Sequence, residues 1–172
     1  MNVLGRLREV LLEEGEPLAA TLRAKPPDVT GDIGALAASG PRAAADRAGY
    51  ELLVEAIYEG YRLHYATARL IDTSDPNLAL LAGDRLYALG LERLVALGDL
   101  EAVRELADVI TLCALLSARG DADSCEALWL ACARAVGYGT SDEYERVKAL
   151  LRVGDPAGGL ALAALIAPHA LA

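Results

Sequence analysis

The sequence predicts an all-α fold, a helical bundle of about seven or eight helices, and three observations carry that expectation. Apolar residues recur at spacings of three and four in every long segment, and no stretch alternates as a strand does. Most segments open on Asp, Ser or Thr and close on Gly, the residue types that satisfy unpaired backbone groups at helix ends. The composition is 54% apolar, dominated by Ala and Leu, with no Phe and one Trp. Ala lets helices approach closely, and both Ala and Leu favour helix. At 172 residues the chain reads as one domain, with an N-terminal helical arm over 1–40 and the bundle over 41–172.

Asn2 to about Arg23 reads as one or two amphipathic helices, with Val3, Leu4, Leu7, Val10, Leu11, Leu18 and Leu22 as the buried stripe. Gly15 and Pro17 break or kink it. Lys25-Pro26-Pro27-Asp28 is a loop, Thr30-Gly31-Asp32 starts a short helix through Ala38, and Gly40-Pro41 closes that piece. From Arg42 to Ile71 only Gly49 and Gly60 interrupt, so this is the longest helical run. Leu53, Ile57, Gly60, His64, Ala68 and Ile71 form one face, and Val54, Tyr58, Tyr61 and Tyr65 the next. An arc that wide places the helix near the middle of the bundle.

Asp75 followed by Pro76 is a capping acid with Pro at the first helical position. Leu78, Leu81, Ala82, Leu86, Leu89, Leu94 and Leu97 then recur at helical spacing until Gly98 and Asp99. Leu100, Val103, Leu106, Ala107, Ile110, Cys113 and Ala114 continue the pattern, which predicts an antiparallel hairpin at the centre of the bundle. Gly83 and Gly90, seven apart, lie on one face of the first of these helices. Glycine costs about 1 kcal/mol against alanine in a helix, so a neighbour is expected to pack close there. Asp123 or Ser124 caps a helix carrying Cys125, Leu128, Trp129 and Cys132, ended by Gly137 and Gly139. Thr140-Ser141-Asp142-Glu143 caps the helix of Tyr144, Val147, Leu150 and Leu151. Asp155-Pro156 opens a last Ala/Leu-rich helix ending near Pro168.

A net charge of −9 without any Lys/Arg run argues against nucleic-acid binding and against a purely electrostatic membrane contact. Acids interrupt the apolar residues of MNVLGRLREVLLEEGE, so it lacks the layout of a signal peptide. Leu160 to Ala172 is too short to cross a bilayer and contains Pro168 and His169. A cytoplasmic protein without a transmembrane segment is expected. Cys113, Cys125 and Cys132 are odd in number and lack the two-residue spacing of a zinc site. Filling the core as reduced thiols is their ordinary reading, with metal or redox chemistry as the alternative.

The stretch LLAGDRLYALGLERLVALGD, residues 80 to 99, resembles the "LAGD" helix of the trans-prenyl diphosphate synthases. The likeness centres on Leu81-Ala82-Gly83-Asp84 and covers roughly residues 50 to 118. It implies a truncated isoprenoid-synthase fold. Members of that family need two DDxxD motifs, because Mg²⁺ ions must bridge carboxylates to a diphosphate. This sequence has neither. Where the first is expected it reads YRLHYATARLID, the arginine-rich loop that follows in the family is replaced by DTSDPN, and the half that carries the second motif is largely missing. The chain is similar in size and in lost motifs to the small, non-catalytic subunits of heteromeric heptaprenyl and hexaprenyl diphosphate synthases. That resemblance implies a chain that associates with a catalytic subunit and influences product length. It implies no cofactor of this chain's own, Mg²⁺ entering only through the catalytic partner.

The tyrosines Tyr58, Tyr61 and Tyr65 have two readings. In the ordinary one the rings pack a helix interface with hydroxyls at its edge. In the functional one they wall an elongated apolar pocket, with Arg62 or Arg69 at the mouth to meet a diphosphate. His64 reads as a hydrogen-bonded core histidine, since no Ser, Cys or second His stands at a catalytic spacing. Glu55 and Glu59, one turn apart, read as an exposed pair bridging to Arg62, or as a shared cation site. Asp84 is expected to pair with Arg85 or with the preceding helix.

Three functions follow. The first is the non-catalytic subunit, which predicts a large exposed apolar helix face or a homodimer that hides one. The second is a stand-alone binder of an isoprenoid or acyl chain, which predicts a closed cavity lined by the tyrosines. The third is a small metal enzyme using Glu55, Glu59, His64 and Asp84, which predicts that these side chains converge in a cleft.

Overall fold

A computed structural model describes residues 2–25 and 32–166. These form eight α-helices: α1 (Val3–Glu13), α2 (Asp32–Ser39), α3 (Arg47–Tyr65), α4 (Pro76–Ala96), α5 (Leu100–Ala118), α6 (Asp123–Tyr138), α7 (Asp142–Val153) and α8 (Ala157–Ile166). Short 3-10 turns lie at Ala19–Thr21 and Pro41–Ala43. The one β-type pairing among the described residues is an isolated antiparallel bridge between Leu22 and Ile71. The chain is an all-α bundle. The loop expected at 26–28, the Thr30-Gly31 start of α2 and the stop near Pro168 lie outside the described residues.

Local capping chemistry sets most helix starts where the sequence places them. Asn2 accepts from Gly5 N–H at 2.9 Å, Asp75 from Asn77 and Leu78, Asp99 from Ala102 at 3.0 Å, and Ser141 from Tyr144 at 3.2 Å. Each satisfies a donor that the first turn cannot. At α6 the expected cap is displaced. Asp121, one position before the N-cap Ala122, accepts from the backbone N–H of Ser124 at 3.2 Å and from its hydroxyl at 2.7 Å.

Two expectations about the centre are corrected. The long run does not continue as helix to Ile71. It ends at Tyr65, with Ala66 extended, because the buried carboxylate of Glu59 takes the N–H groups of Arg69 and Leu70 and turns the chain back along α3. Ala68 and Ile71 therefore belong to the return segment. Nor is the α4–α5 hairpin the central pairing. The widest helix interface is α3 on α4, and α5 packs mainly on α6.

The α3–α4 contact explains the glycines. An added Cβ on Gly90 would stand 2.3 Å from Ile57 Cγ1 and 3.0 Å from the Leu53 carbonyl. On Gly83 it would meet the His64 ring at 2.4 Å and the Gly60 carbonyl at 3.1 Å. The neighbour that the two glycines call for is α3.

Two cores flank that contact. One gathers α2, α3 and α5 to α8 around Trp129. The other joins Leu4, Leu7 and Leu11 of α1 to Ala56, Leu70, Leu86 and Leu89. Both N-terminal helices thus contribute to the packing, since α1 lies on α3 and α2 on α3 and α6. Cys113, Cys125 and Cys132 are free and buried. No described helix is long and apolar enough to cross a membrane.

Gly90→Ala is expected to destabilise the protein by about 1–3 kcal/mol through overpacking against Ile57, despite alanine's better helix propensity. Gly159→Ala is the control, because its Cβ would meet only Ser124 Oγ at 3.8 Å. Urea unfolding should show the first lowering and the second holding or raising the midpoint; equal effects would contradict the close approach.

Candidate functional site

The residues that the sequence singles out collect around the C-terminal half of α3, but they face different ways. Glu55 and Glu59 are one helical turn apart and wholly buried. The chain reversal after Tyr65 brings Arg69 against both. Its Nη2 donates to Glu55 Oε2 at 2.8 Å and its Nε to Glu59 Oε2 at 2.9 Å. Glu59 Oε1 accepts from the backbone N–H of Leu70 at 2.7 Å and of Arg69 at 2.5 Å. Glu55 Oε1 accepts from Gly34 N–H of α2 at 2.8 Å. All four carboxylate oxygens therefore have donors, which is what two acids need to stay ionised out of water. Burial opposes the charge on Arg69, but the two carboxylates outweigh it and its pKa rises. The expected exposed pair bridging to Arg62 is corrected: the acids are interior, and their cation is Arg69. The Nε and Nη2 positions of that guanidinium are committed to the two acids rather than offered to a diphosphate.

Tyr58 and Tyr61 pack as the ordinary reading has it. Their rings stack at 5.8 Å, and Trp129 of α6 lies 5.2 Å from Tyr58 and 5.5 Å from Tyr61. The Tyr58 hydroxyl donates to Glu126 Oε2 at 2.6 Å. Burial, then that bond to a carboxylate, pushes its pKa up to about 12. Burial also raises Tyr61. Arg62 donates through Nε to the Thr67 carbonyl at 2.8 Å and lies over the Tyr58 ring at 5.6 Å, so it closes the helix end. Tyr65 is the exposed member of the stripe. Two surface clefts, of about 250 and 290 Å³, have no tyrosine of the stripe in their linings.

Asp84 is 68% exposed and stands 3.3 Å from His64 Nε2, outside hydrogen-bond geometry. The preceding helix thus lies within ion-pair distance of Asp84, but His64 Nε2 is buried without a hydrogen-bond partner among the described residues, unlike the hydrogen-bonded core histidine expected. Arg85 turns away to Glu14, with Nε donating at 2.7 Å. The His64 ring stacks on Tyr87 at 5.3 Å. Glu55 and Glu59 thus face Arg69 while His64 and Asp84 meet at the α3–α4 surface, and the four do not converge. Among the described residues no group of three or more His, Cys, Asp or Glu is placed to hold a metal ion.

Two features went unread in the sequence. One is Lys148, wholly buried in α7, donating to Glu105 at 2.7 Å and Asp108 at 3.0 Å and lying 2.9 Å from Glu145. Its three acids, 3 to 43 residues away, leave no local pattern beyond the i,i+3 pair with Glu145. The other is the solvent side of α4. Leu81, Ala88 and Val95, each seven apart, are exposed, as are Leu80, Leu97 and Leu100. Leu81 and Leu97 belong to the set that recurs at helical spacing with the buried Ala82, Leu86, Leu89 and Leu94. α4 is apolar on most sides, so its periodicity does not choose a face; the glycine-backed contact with α3 does.

Compared with known protein families, with curated proteins and with solved structures, the chain finds no match.

The Lys148 cluster gives a pH dependence of stability. Burial raises the pKa values of Asp108 and Glu145, but the Lys148 ammonium outweighs it and holds both below their ordinary 3.8 and 4.5. The stability they contribute is present above those ordinary values and lost as pH falls through the folded ones. Lys148, raised from 10.5 by its acids against the pull of burial, contributes stability that is full below 10.5 and lost as pH rises through its folded pKa. Thermal unfolding across pH should show a plateau with losses at both ends. Lys148→Met should cost about 3–5 kcal/mol at neutral pH and show a smaller acid-side loss; an acid limb unchanged from wild type would contradict the assignment.

Proposed function

We propose that this chain is a non-catalytic subunit of isoprenoid-synthase type, which associates with a catalytic trans-prenyl diphosphate synthase and influences the length of its product. The observation that carries the association is the outer side of α4. Leu81, Asp84, Ala88, Leu91 and Val95 follow one another at three and four, the spacing of a helix-packing seam. All are exposed but Leu91, which is partly so. Leu97 and Leu100, at the turn into α5, are exposed as well, Leu100 at 66%. Scattered surface leucines need no explanation, whereas an aligned set along four helical turns is what a partner covers.

The placement of the acids supports the non-catalytic half of the reading. The carboxylates nearest the expected metal motif are engaged by Arg69, and among the described residues Asp84 belongs to no group of three or more His, Cys, Asp or Glu that could bridge a metal to a diphosphate. The identity of the partner rests on the resemblance around Leu81-Ala82-Gly83-Asp84. Its glycine has a physical role here, since it admits the His64 ring between α3 and α4.

The test is a pull-down of the tagged protein from its own host lysate, with prenyl synthase activity assayed on the eluate. The expected outcome is a DDxxD-bearing chain whose elongating activity depends on this protein, and whose recovery drops when Ala88→Glu charges the seam. A monomer or homodimer with no synthase attached would overturn the reading and favour a stand-alone helical protein.

A further inference from the structure

At its N-terminal end the α4 seam runs into a cleft of about 290 Å³ between the Gly15–Leu18 turn and α4. Leu18, Leu78, Leu81 and Ala82 give it apolar walls, and Glu14, Glu16 and Arg85 line it with charge. Its volume lies just under the roughly 300–1,000 Å³ of pockets that enclose drug-sized ligands, and suits one bulky side chain. Leu81, 65% exposed, belongs to both the cleft and the seam, so a chain lying along α4 reaches the cleft without a break.

The charges around it are unbalanced. Arg85 is neutralised by Glu14. Glu16 is exposed and has no ion pair among the described residues. Asp84 sits inside the seam, three residues from Leu81 and four from Ala88, and among the described residues its one neighbour at ion-pair distance is His64, at 3.3 Å. An apolar partner helix would bury these carboxylates unpaired, which disfavours its binding. A cation opposite them removes that penalty.

Symmetric crossings of two copies of α4 about Ala88 do not supply one. Crossed antiparallel about Ala88, two copies of α4 set Leu81 against Val95 favourably, but Asp84 of one against Glu92 of the other. Crossed parallel, they set Asp84 against Asp84. Each copy also carries a net charge of −9.

We propose that this cleft anchors a helical segment of a different protein, one that inserts an apolar side chain between Leu18, Leu78 and Leu81 and places lysine or arginine over Glu16 and Asp84. The proposal rests on the reading of the chain as an associating subunit and names what the partner presents.

Its test is a nuclear magnetic resonance titration of the ¹⁵N-labelled full chain with two synthetic amphipathic helical peptides. Both carry the same apolar residues; one flanks its leucine anchor with lysines, the other with glutamates. The expected result is saturable shifts confined to residues 14–18 and 78–88, with the lysine peptide binding at least tenfold more tightly. Glu16→Lys with Asp84→Lys should erase that preference, and Leu81→Ser, at an exposed position, should abolish the shifts. Equal binding of both peptides, shifts spread over other acidic surface, or no binding overturns the proposal. So does a homodimer in sedimentation that Leu81→Ser dissociates, which would assign the cleft to a second copy. If a synthase chain is retained equally by wild type and by Leu81→Ser, the association reading stands and the cleft assignment falls.

Discussion

Two carboxylates buried on one helix are the constraint around which this fold is arranged. Glu55 and Glu59 lie inside the protein on α3, and ions in that position are tolerated only when every oxygen is bonded and a counter-charge is at hand. Arg69 supplies the charge, and the backbone of Arg69, Leu70 and Gly34 supplies the remaining donors. Meeting that demand ends α3 at Tyr65 and folds the return segment along it. The same turn brings Ile71 to Leu22 and docks α2 through Gly34. The entry to α4 follows directly, and Gly83 and Gly90 let α4 lie close on α3 once it starts.

The same geometry bears on function. A resemblance to prenyl synthases directs attention to the acids, tyrosines and arginines of α3. Here the acids hold Arg69, Tyr58 and Tyr61 pack on Trp129, and Arg62 closes the helix end. Chemistry-bearing residue types are present, and the bonds recorded for the acids, Tyr58, Arg62 and Arg69 are to neighbours within the fold. The outer side of α4 and its cleft, an apolar surface interrupted by Asp84, stay exposed, and the proposed association is argued from that surface.

Much of the fold was legible because it is decided locally. Asp75 before Pro76 and Ser141 within residues 140–143 each cap the helix they precede, since capping involves residues two or three apart. The glycines of α4 signalled a close neighbour for the same kind of reason. What could not be read depended on contacts distant in sequence. Arg69 reaches Glu55 and Glu59 only because the chain reverses, so an i,i+4 acid pair looked like a solvated helix face. Lys148 finds Glu105 across 43 residues. The apolar positions of α4 did not reveal which face is buried, because Leu, Ala, Tyr and Val are spread over most of its sides; Leu81 and Leu97 proved exposed. The site shared that limit, for residues near one another on α3 and α4 face the interior in one case and solvent in the other.

The most direct test of this account is the stability of Arg69→Met, measured by thermal unfolding with and without millimolar Mg²⁺, beside the variant that also carries Glu55→Gln and Glu59→Gln. If Arg69 exists to balance the two acids, Arg69→Met loses about 3–5 kcal/mol. The triple variant should then recover a clear part of that loss, and Mg²⁺ should leave the wild-type midpoint unmoved. A single variant as stable as wild type, or a wild-type midpoint raised by Mg²⁺, would contradict it and return Glu55 and Glu59 to the role of cation ligands.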